Sequence, residues 1–279
     1  MEFFSALSEQ TFLQHALIAG LLASVACGIT GTYVVVKRIV FISGGISHAV
    51  LGGMGVAYYY NANPIHGAVI ASLIAALIIG YISLQYNQYE DTIIGAVWAV
   101  GMAIGILFIY KTPGYTVDLM SYLFGNILMV GTERIYVLGV LDAIIVLSVV
   151  LFYKRFLAVC FDEEYSRLQD ISVLGTYLLL LCLIALTVVI LIQVVGVILV
   201  IALLTLPAAT ARHFTSSLGR MMILATFLAA LFTTAGLMVS YGPGLPAGAT
   251  IIVIAGAAYL FATGLRGLVS TLTTRSHRQ

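Results

Sequence analysis

Charged residues are scarce in this chain. Lysine, arginine, aspartate and glutamate make up 8% of the 279 residues, whereas hydrophobic residues make up 62%. A soluble domain carries about one-quarter charged residues. This sequence has too few to cover a water-exposed surface, so it predicts an integral membrane protein in contact with lipid. The formal net charge of +1 gives no basic footprint, and we expect no nucleic-acid partner.

Cysteine pairs and catalytic motifs are absent as well. Cys27, Cys160 and Cys182 are far apart and form no CxxC pair, which is more typical of small buried side chains than of a disulfide or metal site. The sequence has no HExxH or GxSxG motif, and none of its lysines follows a glycine as a Walker A loop requires. We therefore expect no enzyme and no tightly bound cofactor. If ATP drives this protein, the ATPase is another chain.

Apolar runs fill most of the chain, and a membrane helix needs about 20 mostly apolar residues. The sequence predicts an all-α integral membrane protein with a single domain over 1–279. We expect a polytopic bundle of about nine transmembrane helices, or eight if 173–211 makes one crossing and a re-entrant turn. A half-helix that does not cross is predicted over 117–130. The nine expected spans are 12–36, 41–60, 64–84, 91–110, 133–152, 173–193, 196–211, 218–240 and 246–264.

The positions of lysine and arginine predict the orientation, because cytoplasmic loops are enriched in both. With nine crossings and the N-terminus outside, ten of the 12 basic residues lie inside and only Lys111 and Arg134 lie outside. Eight crossings would break this asymmetry. We therefore prefer nine crossings, with the N-terminus outside and the C-terminus in the cytoplasm.

The longest polar stretch, at about 154–172, falls on the inner side in this orientation. Apolar residues from Phe156 onward lead into Tyr165, Leu168 and Ile171, which are spaced by three, and acidic and basic residues are interleaved with them. Such a segment either forms an amphipathic helix that lies on the membrane or docks on a partner, or is a solvated loop.

Ionisable residues within membrane spans indicate function, because they are costly in lipid. His15, His48 and Asp142 qualify, and His15 lies close to the end of its span. Asp142 lies midway through its span and either contacts a transported species or serves packing or gating.

The surroundings of His48 are rich in glycine. Gly44, His48, Gly52 and Gly55 follow one another at helical spacing, so they share a face on which helices can pack closely. On the pattern alone, His48 is either a ligand on a transport path or a histidine hydrogen-bonded to a backbone carbonyl.

Five blocks of the sequence resemble one known family. The segments SGGISHAVLGGMGVA (43–57), YLFGNIL (122–128), FDEEYSRLQDI (161–171), VVGVILVIALLTLPAATA (194–211) and SYGPGLPAGATIIVIAGAAYL (240–260) occur in the family's order. They are similar to the membrane-spanning permeases of ABC-type zinc, manganese and iron importers. The resemblance covers nearly the whole chain.

The resemblance implies a permease of a prokaryotic cell (inner) membrane that dimerises with a second copy. It also implies two cytoplasmic ABC ATPase subunits, which hold the ATP, and an extracellular or periplasmic metal-binding protein. The outer stretch 111–132 is the candidate contact for that binding protein, or else a re-entrant cap over the pathway. The segment 161–171 resembles the coupling helix that docks on the ATPase. Its candidate coupling residues are Asp162, Glu164, Tyr165, Arg167 and Leu168.

Two positions depart from the family pattern. Family members commonly have an aspartate four residues before the histidine that corresponds to His48, and this chain has Gly44 there. Asp170 stands where the family's coupling helix tends to have glycine. Because carboxylate and water suit manganese whereas imidazole suits zinc and iron, we expect Gly44 to shift preference towards zinc or iron. Ser47, backbone carbonyls or water would complete the shell around His48.

The resemblance and the residues together favour an importer subunit for a divalent transition metal, with His48 and, less strongly, Asp142 as metal-contacting residues. One alternative within the same class is a permease for a metal chelate or a vitamin. Another is an ATP-independent secondary transporter that uses Asp142 and His48 as a proton relay. An intramembrane enzyme is the least favoured, because the sequence has no recognisable nucleophile motif.

Overall fold

The structure, a computed structural model, describes residues 2–86, 90–113, 125 and 127–276. Within these ranges the regular structure is helical. The helices are α1 (Glu2–Glu9), α2 (Thr11–Lys37), α3 (Val40–Tyr59), α4 (Pro64–Gln85), α5 (Glu90–Lys111), α6 (Thr132–Phe161), α7 (Glu163–Leu168), α8 (Val173–Arg212), α9 (Leu218–Tyr241) and α10 (Ala247–Ser276), with a 3₁₀ turn at Ile127–Met129 before α6.

The expected all-α membrane bundle is confirmed. Eight helices in the described ranges are long and apolar enough to cross a membrane, and the ninth expected span corresponds to the shorter apolar piece Leu199–Arg212. The short helix α1 was not anticipated. Most of the predicted half-helix at 117–130, of the block at 122–128 and of the outer stretch 111–132 lies outside the described residues.

Local sequence signals explain where two of the helices begin. The side chain of Asn63 accepts a hydrogen bond from the backbone N–H of Ile65, and Pro64 occupies the first turn of α4. Ser172 caps α8 in the same way through the backbone N–H of Gly175. Such caps satisfy backbone donors that a helix leaves unpaired at its start.

The helix α8 enters the bundle and returns to the face where it began. Near its start, Tyr177 lies beside the ammonium of Lys37, the last residue of α2. Near its end, a small cluster that includes Ala211 packs against Val36, also at the end of α2. Between these points Gly196 has φ 76° and ψ 169°, a conformation open essentially only to glycine, and the helix breaks there.

The other face of the bundle holds the beginning of α2 and the end of α9. The hydroxyl of Tyr241 donates a hydrogen bond to the side-chain oxygen of Gln10 over 3.1 Å. The start of α2 and the end of α10 therefore lie at opposite faces, because α9 ends near Gln10 and α10 runs back from there. This alternation agrees with a chain that passes through the bundle an odd number of times.

The two limbs of α8 form the centre of the bundle. On one side α3 packs against α4 and α5, and on the other side α2 packs against α6 and α9. Both groups contact α8, which buries its side chains from Leu180 to Leu191 almost completely. His48, on α3, belongs to the first group.

The polar stretch at about 154–172 does not form one amphipathic helix. Instead α6 continues to Phe161, beyond the expected end at 152, and Asp162 adopts an extended conformation. The Asp162 carboxylate then accepts a hydrogen bond from the backbone N–H of Tyr165 at 2.8 Å and starts the separate helix α7. The break arises because an aspartate caps a new helix more favourably than it continues an old one.

Candidate functional site

The imidazole of His48 lies against the indole of Trp98, the single tryptophan of the chain. Their ring centroids are 4.0 Å apart and the ring planes differ by 10°. Nδ1 of His48 is buried, and it has no hydrogen-bond partner among the described residues. The alternative of a histidine bonded to a backbone carbonyl therefore finds no support at this nitrogen.

Glycines bring the backbones of α3 and α5 into contact beside His48. A Cβ atom on Gly52 would lie 2.7 Å from the carbonyl oxygen of Gly101, and one on Gly55 would lie 2.5 Å from that of Gly105. Real Cβ atoms do not approach this closely, so these positions hold the helices together only as glycines. This close approach sets the position of α5 along α3, and so the position of Trp98 beside His48.

Gly44 is less restricted than the other glycines of this face. A Cβ there would meet the end of Ile201 at 3.4 Å and the Trp98 ring at 3.7 Å, which are ordinary contacts. The space one turn below His48 is therefore lined by an aliphatic and an aromatic side chain. Of the three glycines predicted to serve helix packing, Gly44 alone has room for a side chain.

The donor atoms near His48 are few. Ser47 is completely buried, and its hydroxyl donates a hydrogen bond to the carbonyl of Ser43 at 2.7 Å. In the part of the chain that the structure describes, no three His, Cys, Asp or Glu side chains come close enough together to hold a metal ion. A cation beside His48 would bind through one imidazole, with its remaining ligands from water, backbone or a second copy of the chain.

Asp142 lies apart from His48. It is 5% exposed on α6, and its Oδ1 has no hydrogen-bond partner within the described ranges. Because α6 packs on α2 and α8, whereas α3 packs on α4, α5 and α8, the structure does not bring the two predicted metal residues together. A direct relay between Asp142 and His48 has no geometric support.

The segment around α7 presents a mixed surface at the face where α2 ends. Tyr165 is 54% exposed and Leu168 is 82% exposed, and Asp162, Glu164 and Arg167 are exposed around them. The exposed Tyr165 and Leu168 among charged side chains make α7 a candidate docking surface. Asp170 has φ 55°, the left-handed conformation that favours glycine and that aspartate tolerates better than most residues.

Two contacts of this arrangement are not predictable from the sequence. Trp98 was not singled out, because nothing in a single sequence pairs a residue of α5 with one of α3. Glu163 was left out of the coupling residues, yet it forms an ion pair with Lys37. Both contacts join distant parts of the chain, and only their residue types (a lone tryptophan, a lysine at a helix end) are visible in the sequence.

Within the described ranges, eight packed helices that are long and apolar enough to cross a membrane define a polytopic membrane protein. The model of the family described as the ABC 3 transport family matches residues 9–266, so the chain belongs to that family.

Relatives and a solved structure agree with this assignment. The chain is 44% identical over 250 residues to a probable metal transport system membrane protein of Chlamydia trachomatis, covering 88% of this chain and 85% of the relative. It is 35% identical over 260 residues to the manganese transport system membrane protein MntC of Halalkalibacterium halodurans, covering 93% and 89%. A chain in the structure of PsaBC from Streptococcus pneumoniae in complex with Fab superposes with a TM-score of 0.85 at 32% identity, covering 94% of each chain.

Proposed function

We propose that this chain is the transmembrane subunit of an ATP-driven importer that moves a divalent transition-metal cation into the cytoplasm. The family match over residues 9–266 carries the proposal, and the buried, unpartnered Nδ1 of His48 on an inner helix supports it. The subunit is not an enzyme, since its sequence has no nucleotide-binding motif. Separate ABC ATPase subunits hydrolyse the ATP.

The mechanism that we propose places His48 on the cation path between two copies of the chain. ATP closes the ATPase subunits, which bear on the exposed side chains of α7, such as Leu168. The resulting movement switches access to the space beside His48 between the outer and the inner side. A binding protein outside the cell delivers the metal, and the N-terminus lies on that side. The ten basic residues on the other side support this orientation.

Two lines of support point to different metals as the cargo. The name of the relative from Halalkalibacterium halodurans supports manganese. The site itself, with one imidazole and no carboxylate at Gly44, supports zinc or iron. Asp142 serves packing rather than metal contact in this proposal, because it is remote from His48.

The decisive experiment measures cellular metal content in a host that expresses the chain together with its ATPase subunit. Wild type, His48→Ala and a host without the ATPase are compared for manganese, zinc, iron, nickel, copper and cobalt. We expect one metal to accumulate only in the wild type with ATPase. Accumulation without the ATPase would favour a secondary transporter, and an unchanged His48→Ala variant would remove His48 from the path.

A further inference from the structure

Three helices converge on the ammonium of Lys37, the last residue of α2. The ammonium forms an ion pair with Glu163 in the first turn of α7, and it donates a hydrogen bond to the carbonyl of Val159 near the end of α6 at 3.1 Å. It also lies 5.8 Å from the ring centroid of Tyr177 at the start of α8. The Lys37 side chain is only 17% exposed and the Glu163 side chain 35%, so the pair is partly shielded from water.

The position of Lys37 bridges the break between α6 and α7. The helix α6 ends at Phe161, so the carbonyl of Val159 has lost the backbone donor that a continuing helix would supply. A cation at a helix C-terminus and a carboxylate in the first turn of the next helix are both favourable electrostatic placements. Lys37 places its ammonium at the C-terminus of α6 and contacts the Glu163 carboxylate in the first turn of α7. Its contacts thereby join the end of α6 and the start of α7 to the end of α2.

On its other side Lys37 is joined almost directly to the helix that bears His48. Arg38 has φ 62°, and the backbone N–H groups of Arg38 and Ile39 both bond the carbonyl of Val34. The next residue, Val40, already begins α3. Only Arg38 and Ile39 therefore separate Lys37 from α3, the helix that carries His48. Bending at this joint is restricted because both residues are hydrogen-bonded and Ile39 is only 6% exposed.

We propose that Lys37 is the positioning residue that connects the docking helix α7 to α3, so that movement of α7 is passed to the helix that carries His48. The inference rests on the proposed function for its biological meaning. The structural part of the inference stands on one contrast. The Lys37–Glu163 contact joins α7 to the end of α2, 126 residues away, whereas the other packing partners of α7, the helices α6 and α8, are its neighbours in sequence. Loss of the ammonium leaves α7 attached to the bundle but mechanically separate from α3.

The first test measures transport and ATP hydrolysis together in proteoliposomes that contain the chain with its ATPase subunits. The variants are Lys37→Met, Lys37→Arg and Glu163→Gln, with Lys154→Met as the matched control, since Lys154 is exposed on α6 near the same face. We expect Lys37→Met to assemble and to hydrolyse ATP within about twofold of wild type, but to move at least tenfold less metal per ATP. Lys37→Arg should restore most of that ratio and Glu163→Gln should lower it. Lys154→Met should match wild type.

Two outcomes would overturn the proposal. One is a wild-type ratio of metal to ATP in Lys37→Met. The other is parallel loss of assembly, ATP hydrolysis and transport in both Lys37→Met and Glu163→Gln, which indicates a merely structural role. If Lys37→Met alone fails to fold, a wild-type ratio in Glu163→Gln overturns the proposal instead.

A second measurement separates this inference from the proposed function. Spin labels at Gln169, next to α7, and at Phe41, on the exposed surface of α3, report the distance between the two helices without any transported metal. We expect a narrow distance distribution in wild type and in Lys154→Met, and a broad one in Lys37→Met. Equally narrow distributions in all three proteins would refute the link, even in a chain that transports metal. If wild type moves no metal but its distribution is narrow and that of Lys37→Met is broad, the proposed function is refuted and the link is retained.

Discussion

The imidazole of His48 and the indole of Trp98 are stacked face to face, with their centroids 4.0 Å apart. This contact holds the imidazole plane in one orientation across the α3–α5 interface. A metal ligand that is held in place loses less conformational freedom when it binds than a freely rotating one. In the proposed function, Trp98 would therefore tune the affinity of His48 for a cation without contacting the cation itself.

Replacement of Trp98 by leucine should weaken metal uptake. A stacked aromatic pair contributes about 0.5–1.5 kcal/mol beyond its buried area, so we expect the half-saturating metal concentration to rise about two- to tenfold. Trp98→Phe keeps an aromatic face towards His48 and should stay closer to wild type. Uptake measured over a range of metal concentrations in proteoliposomes gives the answer. Identical curves for Trp98→Leu and wild type would show that the stack does not position the ligand.

A carboxylate restored at position 44 should change the metal preference. The Cβ of Gly44→Asp fits, because its nearest neighbour is the flexible end of Ile201 at 3.4 Å. We expect the ratio of manganese to zinc uptake to increase by about tenfold or more, since carboxylate oxygen suits manganese. Gly44→Asn has the same shape without the charge and serves as the control. An equal shift in both variants would assign the effect to shape rather than to charge.

A methyl group at Gly52 or Gly55 should destabilise the bundle. Each added Cβ would lie at 2.7 Å or 2.5 Å from a carbonyl oxygen of α5, so α3 and α5 must separate. Overpacking of this kind costs about 1–3 kcal/mol, and we expect a lower thermal unfolding midpoint in detergent. Gly95→Ala on α5 is the matched control, because an added Cβ there meets nothing within 4 Å. A midpoint for Gly52→Ala equal to that of Gly95→Ala would contradict the close backbone contact.

Asparagine at position 142 should preserve transport. Asp142 is buried, its Oδ1 has no partner among the described residues, and α6 does not pack on α3. The isosteric amide keeps the shape of the side chain and removes its ability to hold a charge in the apolar interior, where an unpaired charge is strongly unfavourable. We expect uptake by Asp142→Asn within about twofold of wild type, whereas His48→Ala loses uptake. Abolished uptake in well-folded Asp142→Asn would contradict this prediction and indicate that Asp142 takes part in transport.

A charge placed on the tip of α7 should weaken attachment of the ATPase. Leu168 is 82% exposed, and a docked partner would cover a leucine side chain, whose burial contributes about 1.5–3 kcal/mol. We expect Leu168→Asp to retain about tenfold less ATPase than wild type during co-purification. Tyr60→Asp, at an exposed position of the opposite face, is the control. Full retention of the ATPase by Leu168→Asp would exclude this helix from the docking surface.

The sequence predicted the membrane bundle well because apolar length is a direct physical requirement of the bilayer. The starts of α3, α4 and α5 fall within one residue of those expected. The break at Gly196 was also anticipated, since the expected spans 173–193 and 196–211 meet there. The expected span ends at 152, nine residues before α6 ends at Phe161. Apolar length predicts where a helix leaves the membrane but not where it stops, and this helix continues until Asp162 ends it.

The candidate site was predictable in its parts but not in its pairings. His48 was identified from its own helix, since Gly44, Gly52 and Gly55 repeat with the helical period around it. The stacking partner Trp98 and the ion-pair partner Glu163 depend on how separate helices meet, and a single sequence carries no such information. The separation of Asp142 and His48 on helices that pack in different groups could not be read from the sequence for the same reason.

The turn of α8 at Gly196 also has a consequence for how the protein enters the membrane during synthesis. At 1.5 Å per residue the returning limb 197–212 is about 24 Å long, which is too short to cross a hydrocarbon core of about 30 Å alone. The limb Val173–Ile192 is long enough and strongly apolar. We therefore expect both limbs to enter the membrane together as a helical hairpin, with the shorter limb packed against the longer one.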